Sequence, residues 1–156
     1  MLKIKSRKFP EEVCFRPIGI IHTPFNSMRG VPRQSSISDA EGTIEIFKEH
    51  QDGLKDLDGF SHIYCIFHFD LIKTPVPLQS RSFSSRDKKG VFAIRTPFRP
   101  NPIGLSIFEL IDIKENEIHI KGADTVDRTP VLDIKPYVAE FDVRSHTNNG
   151  WLNGEK

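Results

Sequence analysis

The sequence predicts an all-β protein whose sheet closes or curls into one small barrel. Segments rich in β-branched and aromatic residues recur along the chain, separated by polar stretches that contain glycine or proline. One segment alone, residues 48–57, has the pattern expected of a short helix. Because strands do not alternate with long helices, a parallel sheet covered by helices is not expected.

Length and composition indicate a single globular domain over residues 1–156. We expect its core at about residues 13–143, followed by a polar tail at 146–156 in which Trp151 could dock. No apolar run approaches the roughly 20 residues that span a bilayer, and the N-terminus lacks the apolar centre of a signal peptide. Cys14 and Cys65 form no disulfide framework, so a cytoplasmic protein is expected.

The predicted strands follow the apolar runs in chain order. They cover residues 14–23, 42–47, 60–72, 91–94, 105–114, 117–121 and 131–138. The run at 60–72 is the longest, and its alternation puts Ile63, Cys65 and Phe67 on a core face. The opposite face carries His62, Tyr64 and His68, and it either lines a site or faces solvent.

The stretch at residues 90–105, GVFAIRTPFRPNPIGL, is the most unusual part of the sequence. It starts with an apolar run typical of a strand and is then interrupted by Pro97, Pro100 and Pro102. The result is a stiff loop that carries Arg95, Arg99 and Asn101. Arginines on a rigid loop indicate ligand recognition, although a crossover with solvated arginines is the alternative.

Basic residues are concentrated around this loop. Residues 79–104 hold six of the 22 basic residues of the chain but one of its 21 acidic residues. Such an island in an otherwise acidic chain is a candidate for phosphate contacts, the alternative being a solvated basic loop. We therefore predict phosphate contacts at Arg81, Arg86, Lys88, Lys89 and Arg99.

Several common functional motifs do not occur. The sequence has no G-x-G-x-x-G or P-loop cradle for nucleotides, and no G-x-S-x-G elbow. Its six histidines and two cysteines have no H-x-x-x-H or C-x-x-C spacing, so no metal site is expected.

Five segments resemble one known family. They are IGIIHTPF at 18–25, PRQ at 32–34, DGFSHI at 58–63, GVFAIRTPFRPNPIGLS at 90–106 and TPVLDIKPYV at 129–138. The sequence resembles the TsaA-like (TrmO-type) family of tRNA methyltransferases that use S-adenosyl-L-methionine (SAM). The resemblance implies a small β-barrel that binds SAM without a Rossmann fold, and a homodimer. It also implies methylation of N6 of threonylcarbamoyladenosine at position 37, in the anticodon loop of tRNA. With a tRNA substrate, the phosphate contacts predicted for the basic residues become RNA contacts at Arg81, Arg86, Lys88, Lys89 and Arg99.

The resemblance also implies the site residues. The cofactor contacts of the family fall on Pro32, Arg33, Gln34, His68, Phe69, Arg95, Leu105, Ala123, Asp124, Thr125, Val126 and Asp127. For catalysis we predict that Asp127 lies near the reacting centre and accepts a proton or holds the cofactor, the alternative being that it only caps its own turn. Asn101 is the second catalytic candidate.

Three departures from the family pattern leave alternatives open. Arg128 stands where the family usually has glycine, and QSRSFSSRDKK replaces a lead-in rich in proline and glycine. Longer relatives also continue into a second domain. Because a shared fold does not fix the substrate, a methyltransferase acting on another nucleophile is one alternative. A relative that binds RNA or a ligand without catalysis is the other, and Arg128 is the feature that favours it.

Overall fold

The computed structural model describes residues 9–154, so predictions for residues 1–8 and 155–156 lie outside the described residues. Eight strands occur in chain order: β1 (Gly19–His22), β2 (Glu41–Ile46), β3 (His62–His68), β4 (Gln79–Arg81), β5 (Lys88–Gly90), β6 (Ile103–Lys114), β7 (Glu117–Lys121) and β8 (Thr129–Pro136). Short 3-10 helices cover Ser35–Ile37, Lys48–Leu54, Leu57–Gly59, Val91–Ala93 and Gly150–Gly154, and one α-helix, α1, covers Ala139–Asp142.

Six of the strands form a closed antiparallel barrel in the order β1-β2-β7-β6-β3-β8, and β4 pairs with β5 in a separate hairpin. The predicted all-β barrel is thereby confirmed. The barrel interior is filled by alternate residues of each strand, as the two-residue period of β-structure requires. Its fully buried side chains include Ile21, Ile44, Ile63, Cys65, Phe67, Phe108, Ile118, Ile120 and Val131.

The predicted alternation of the longest run is confirmed by β3. Ile63, Cys65 and Phe67 point inward and are buried, whereas His62, Tyr64 and His68 are half-buried on the outer side. Gly104 pairs with Phe67 across the β3–β6 ladder. A Cβ atom at Gly104 would lie 2.1 Å from Phe67 Cε2, so glycine is needed there for the aromatic ring to enter the core.

The predicted strand at residues 91–94 is wrong, because the chain forms a 3-10 turn at Val91–Ala93. Val91 and Ile94 are buried while Phe92 is exposed, which is a three-residue spacing and not the alternation of a strand. The carbonyls of Val91 and Ile94 accept hydrogen bonds from Arg99 Nη1, at 2.8 and 2.9 Å. The Arg99 guanidinium thus satisfies backbone carbonyls that, in a strand, would pair with a neighbouring strand.

Two other segments differ from expectation. The helix predicted at 48–57 is present as the 3-10 helix Lys48–Leu54 and a further turn at Leu57–Gly59, whereas the α-helix α1 lies after β8. The long polar connection before the proline loop contains the β4–β5 hairpin. Three-residue polar strands without an apolar face leave no alternation for sequence reasoning to detect.

The antiparallel order brings three connections to the same end of the barrel. These are residues 23–40 between β1 and β2, 69–102 between β3 and β6, and 122–128 between β7 and β8. We call this end the site rim. The opposite end carries the connection at 47–61 and the turn at 115–116.

The chain after β8 returns to the connection at 69–102, where Trp151 docks as predicted. Its Nε1 donates to the Ala93 carbonyl at 2.9 Å, and Lys89 Nζ lies 5.3 Å from the indole centroid. Trp151 thereby fastens this part of the tail to the turn that precedes the proline loop. Between residues 9 and 154, no helix has the length and apolar character that crossing a membrane requires.

Candidate functional site

The site rim carries the predicted site residues, although they lie far apart in sequence. The first link joins two of its connections: Arg95 Nη1 donates to Gln34 Oε1 at 2.6 Å. Both side chains belong to the predicted cofactor set, one from the PRQ segment and one from the start of the proline loop. The contact therefore brings two separate motifs together.

The second link is the carboxylate of Asp124, which joins the connection at 122–128 to β6. Both of its oxygens lie 2.9 Å from Ser106 Oγ, whose hydroxyl donates to them. Burial raises the pKa of Asp124 to about 6, although the hydrogen bonds from Ser106 and from backbone amides act in the opposite direction. Nearby, Gly122 has a φ of 94° and packs against the Ser35 carbonyl, where a Cβ would lie 3.1 Å away.

Two predicted cofactor contacts in the same connection, Ala123 and Thr125, have buried side chains. The Ala123 carbonyl accepts from Ser38 Oγ at 2.6 Å, and the Thr125 carbonyl accepts from Thr23 Oγ1 at 2.8 Å. Within the described chain, Thr125 Oγ1 is buried without a hydrogen-bond partner. Val126 is half-buried, and its carbonyl accepts from Thr129 Oγ1. The side chains in this connection that could offer charge to a ligand are thus Asp124, Asp127 and Arg128.

Asp127 ties the connection to the end of β1. Its Oδ1 accepts from the Thr23 backbone amide at 3.0 Å and lies 3.6 Å from His22 Nδ1. His22 Nε2 in turn lies 3.0 Å from Glu45 Oε2. Asp127 therefore caps a backbone amide distant in sequence, and the alternative that it caps its own turn is wrong. Its catalytic role stays a prediction.

Arg99 and Asn101 have different positions in the proline loop. The Arg99 guanidinium is half-buried and, besides the two carbonyls named above, lies 3.5 Å from the Thr96 carbonyl. Arg99 therefore stabilises the loop from within, and its contact with RNA stays a prediction. Asn101 is exposed, and its carbonyl accepts from the Ile103 amide at 2.7 Å.

The remaining cofactor candidates lie where β3 and β6 reach the site rim. His68 pairs with Ile103, and the Phe69 amide donates to the Pro102 carbonyl at 2.8 Å. Leu105 points outward and is 61% exposed. The mixed outer face of β3 does not form one site. His62 and Tyr64 lie beside Tyr137, with ring centroids 6.2 and 5.6 Å away, whereas His68 lies at the site rim.

The basic island is presented mainly by the β4–β5 hairpin. Arg81, Arg86 and Lys88 are exposed on it, whereas Lys89 is half-buried against Trp151. Sequence reasoning missed Phe83, which lies between β4 and β5 with Arg33 Cζ 3.9 Å from its ring centroid. A single aromatic residue among serines and arginines was the signal that could have identified it.

Arg128 adopts the left-handed conformation, with a φ of 67°, which is the geometry expected where the resemblance implies glycine. We expect Arg128→Gly to increase the free energy of unfolding by about 0.5–1 kcal/mol, because it removes this strain. Chemical denaturation checks the gain. Glu115→Gly, at a φ of 56° on the opposite rim, is the matched control and should give a similar gain. A loss of stability in Arg128→Gly alone would mean that the arginine side chain makes a stabilising contact.

The fold and the site rim together define a class of protein. It is a small antiparallel β-barrel in which three connections form a site with arginine, amide and carboxylate groups, without a Rossmann fold. Between residues 9 and 154, no group of three histidine, cysteine or acidic side chains could hold a metal ion.

Comparisons with known proteins identify the family. The profile of the tRNA-methyltransferase O N-terminal domain matches residues 20–143. A probable S-adenosyl-L-methionine-binding protein of Pyrococcus abyssi is 50% identical over 92% of this chain and 78% of its own length. The tRNA (adenine(37)-N6)-methyltransferase of Escherichia coli is 36% identical over 80% of this chain and 57% of its own.

A solved structure gives the same result. The crystal structure of TrmO from Pseudomonas aeruginosa superposes with a TM-score of 0.76 at 33% identity, covering 89% of this chain and 62% of that one. The chain thus belongs to the tRNA-methyltransferase O N-terminal domain family. It spans most of the Pyrococcus protein but less than two thirds of the Escherichia coli and Pseudomonas chains.

Proposed function

We propose that this protein is a SAM-dependent methyltransferase that methylates N6 of threonylcarbamoyladenosine at position 37 in the anticodon loop of tRNA. The observation that carries the proposal is the family match over residues 20–143, which includes all three connections of the site rim. The names of the relatives support both the cofactor and the substrate of this proposal, since one is a probable SAM-binding protein and another is a tRNA methyltransferase. A tRNA substrate is consistent with a cytoplasmic location.

The groups at the site rim fit the chemistry of SAM. Gln34 and Arg95 offer donors suited to the carboxylate of the methionine part, and Asp124 and Asp127 offer acceptors suited to its cationic part. Exposed Leu105 offers apolar surface at the same rim. When bound, SAM supplies the methyl group as an electrophile.

The reaction also requires that a proton leave the N6 nitrogen. One oxygen of Asp127 is held by Thr23, while the other, Oδ2, has no hydrogen-bond partner among residues 9–154. Asp127 is therefore oriented by the end of β1 and retains an oxygen that could accept a proton. Asn101 could orient the reacting base from the proline loop.

A methyl-transfer assay tests the function. Purified protein, SAM and tRNA carrying threonylcarbamoyladenosine are incubated, and the nucleosides are then separated by mass spectrometry. The doubly modified adenosine is the expected product. Methyl transfer to another nucleoside would support the first alternative, and SAM or tRNA binding without transfer would support the non-catalytic one.

Arg95→Ala is expected to weaken SAM binding about tenfold without changing the fold, because it removes a charge-assisted donor on an exposed part of the site rim. Calorimetry with SAM gives the affinity. Arg144→Ala is the matched control, since Arg144 Nη1 donates to the nearby carbonyls of Phe141 and Val143. Unchanged SAM affinity in Arg95→Ala would remove Arg95 from the site.

We also propose that the protein works as a homodimer that pairs through the outer face of β6. This face exposes four apolar side chains, Ile103, Leu105, Ile107 and Ile111, with the exposed carboxylate of Glu109 between the last two. Leu105 is also a predicted cofactor contact, so the site would lie near the interface. Two-fold pairing is the commonest arrangement for such a surface.

Ile107→Glu is expected to weaken this dimer at least about tenfold, because it would bury a carboxylate at the interface. Sedimentation at micromolar concentration measures the change. Val143→Glu introduces the same charge at a position that is 58% exposed and lies outside β6, and should leave the association unchanged. A monomeric wild-type protein with full activity would refute the dimer.

A further inference from the structure

Phe83 is exposed, and a guanidinium lies over one side of its ring. Phe83 lies between the two strands of the β4–β5 hairpin. Its side chain is 83% exposed, and Arg33 Cζ lies 3.9 Å from the ring centroid. A ring has two faces, and with this exposure one of them remains open beside the arginine. Phe83 contributes nothing to the barrel core.

The surroundings of Phe83 favour an anionic partner. Arg81 precedes it on β4, and Arg86 and Lys88 follow it on the other side of the hairpin. One acidic residue, Asp87, lies in this segment. An aromatic face among exposed cations is the combination with which proteins bind single-stranded nucleic acid, since phosphates pair with the cations and bases stack on the ring.

A second exposed ring shows why Phe83 is the better candidate. Phe92 is 80% exposed, but Arg99 Cζ lies 5.9 Å from its centroid and the Arg99 guanidinium is bound to backbone carbonyls. Arg33 is at stacking distance from Phe83 and is joined through its neighbour Gln34 to Arg95. The Phe83 ring is thus next to the predicted cofactor residues.

We infer that Phe83 and Arg33 form a stacking platform for an unpaired base of the RNA substrate. The inference rests on the proposed function, because it assigns part of the RNA-binding surface of that same site. The platform would hold a loop base next to the nucleotide that is methylated. Stacking would be tolerant of base identity, because every base has a π face.

The test compares Phe83→Ala, Phe83→Leu and Phe83→Trp in binding to a tRNA transcript and to its isolated anticodon stem-loop. Alanine and leucine are both expected to weaken binding about tenfold, and tryptophan to keep or strengthen it. The slope of affinity against salt should not change, since no charge is removed. Phe141→Ala, at a phenylalanine that is 65% exposed on α1, should bind as wild type.

Calorimetry with SAM and the methyl-transfer assay separate the possible failures. Unchanged RNA affinity in Phe83→Ala, with wild-type methyl transfer intact, would refute the platform and leave the proposed function. Phe83-dependent RNA binding without methyl transfer by the wild type would refute the function and retain the platform. If Phe83→Ala lost SAM affinity and kept its RNA affinity, Phe83 would belong to the cofactor site. A wild-type protein that bound neither the tRNA transcript nor the anticodon stem-loop would also overturn the platform.

Discussion

Neutralising Arg81, Arg86 and Lys88 together is expected to reduce tRNA affinity about 100-fold or more at 0.1 M salt. All three side chains are exposed on the β4–β5 hairpin, whereas Lys89 is left unchanged because it lies against Trp151. Each phosphate contact removed should lower the log–log salt slope by roughly 0.7–0.9. The loss should therefore become small at high salt, and titrations at several salt concentrations measure it.

A matched triple variant controls for net charge. Lys48, Lys55 and Lys114 are exposed toward the opposite rim, and their neutralisation should change the tRNA affinity much less. SAM affinity should be unchanged in both variants. An unaltered salt slope in the hairpin variant would mean that RNA is held elsewhere, with Arg29, Arg33 and Arg128 as the next candidates.

The second large effect concerns the half-buried carboxylate of Asp124. Burial raises the pKa of Asp124 to about 6, above the ordinary value of 3.8, so the folded state binds the proton more tightly than the unfolded state. The stability contributed by that proton is present below pH 3.8 and is lost as pH rises through about 6. The stability advantage of Asp124→Asn over wild type should thus grow by up to about 3 kcal/mol from pH 3.5 to pH 7.5.

Denaturant unfolding of both proteins across this pH range measures the difference. Ser106→Ala is the informative companion, because the Ser106 hydroxyl donates to the carboxylate and its loss should raise the pKa of Asp124 further. The pH range over which the Asp124 proton is lost, and with it the stability that the proton contributes, should accordingly lie higher in Ser106→Ala than in the wild type. A stability difference between Asp124→Asn and wild type that is independent of pH would contradict the raised pKa.

Sequence reasoning succeeded where one strand face is apolar. The alternation of β3 and the hairpin of β6 and β7 around Glu115 both follow from local patterns, and the barrel follows from their repetition. It failed at residues 91–94, whose conformation depends on hydrogen bonds from Arg99. A contact formed by a later side chain has no signature in the local pattern.

The candidate site shows the same limit. Asp124 and Asp127 lie three residues apart and carry the same sequence signal, yet Asp124 accepts from Ser106 and Asp127 holds the end of β1. The resemblance placed both in the cofactor set, and the fold alone separates their environments. The contact of Phe83 with Arg33 joins segments distant in sequence, so it could not be expected from either.

The placement of all three connections on one rim has a consequence for how such a protein can diversify. The barrel strands pair with one another, and the segment at 69–102 interrupts none of their ladders. Lengthening a loop is thermodynamically inexpensive, since doubling its length costs about 0.6 kcal/mol. Insertions and replacements at this end can thus accumulate without unfolding the scaffold, and the polar QSRSFSSRDKK segment with its hairpin lies in the longest of the three connections. Different ligand-binding surfaces can in this way be built on an unchanged barrel.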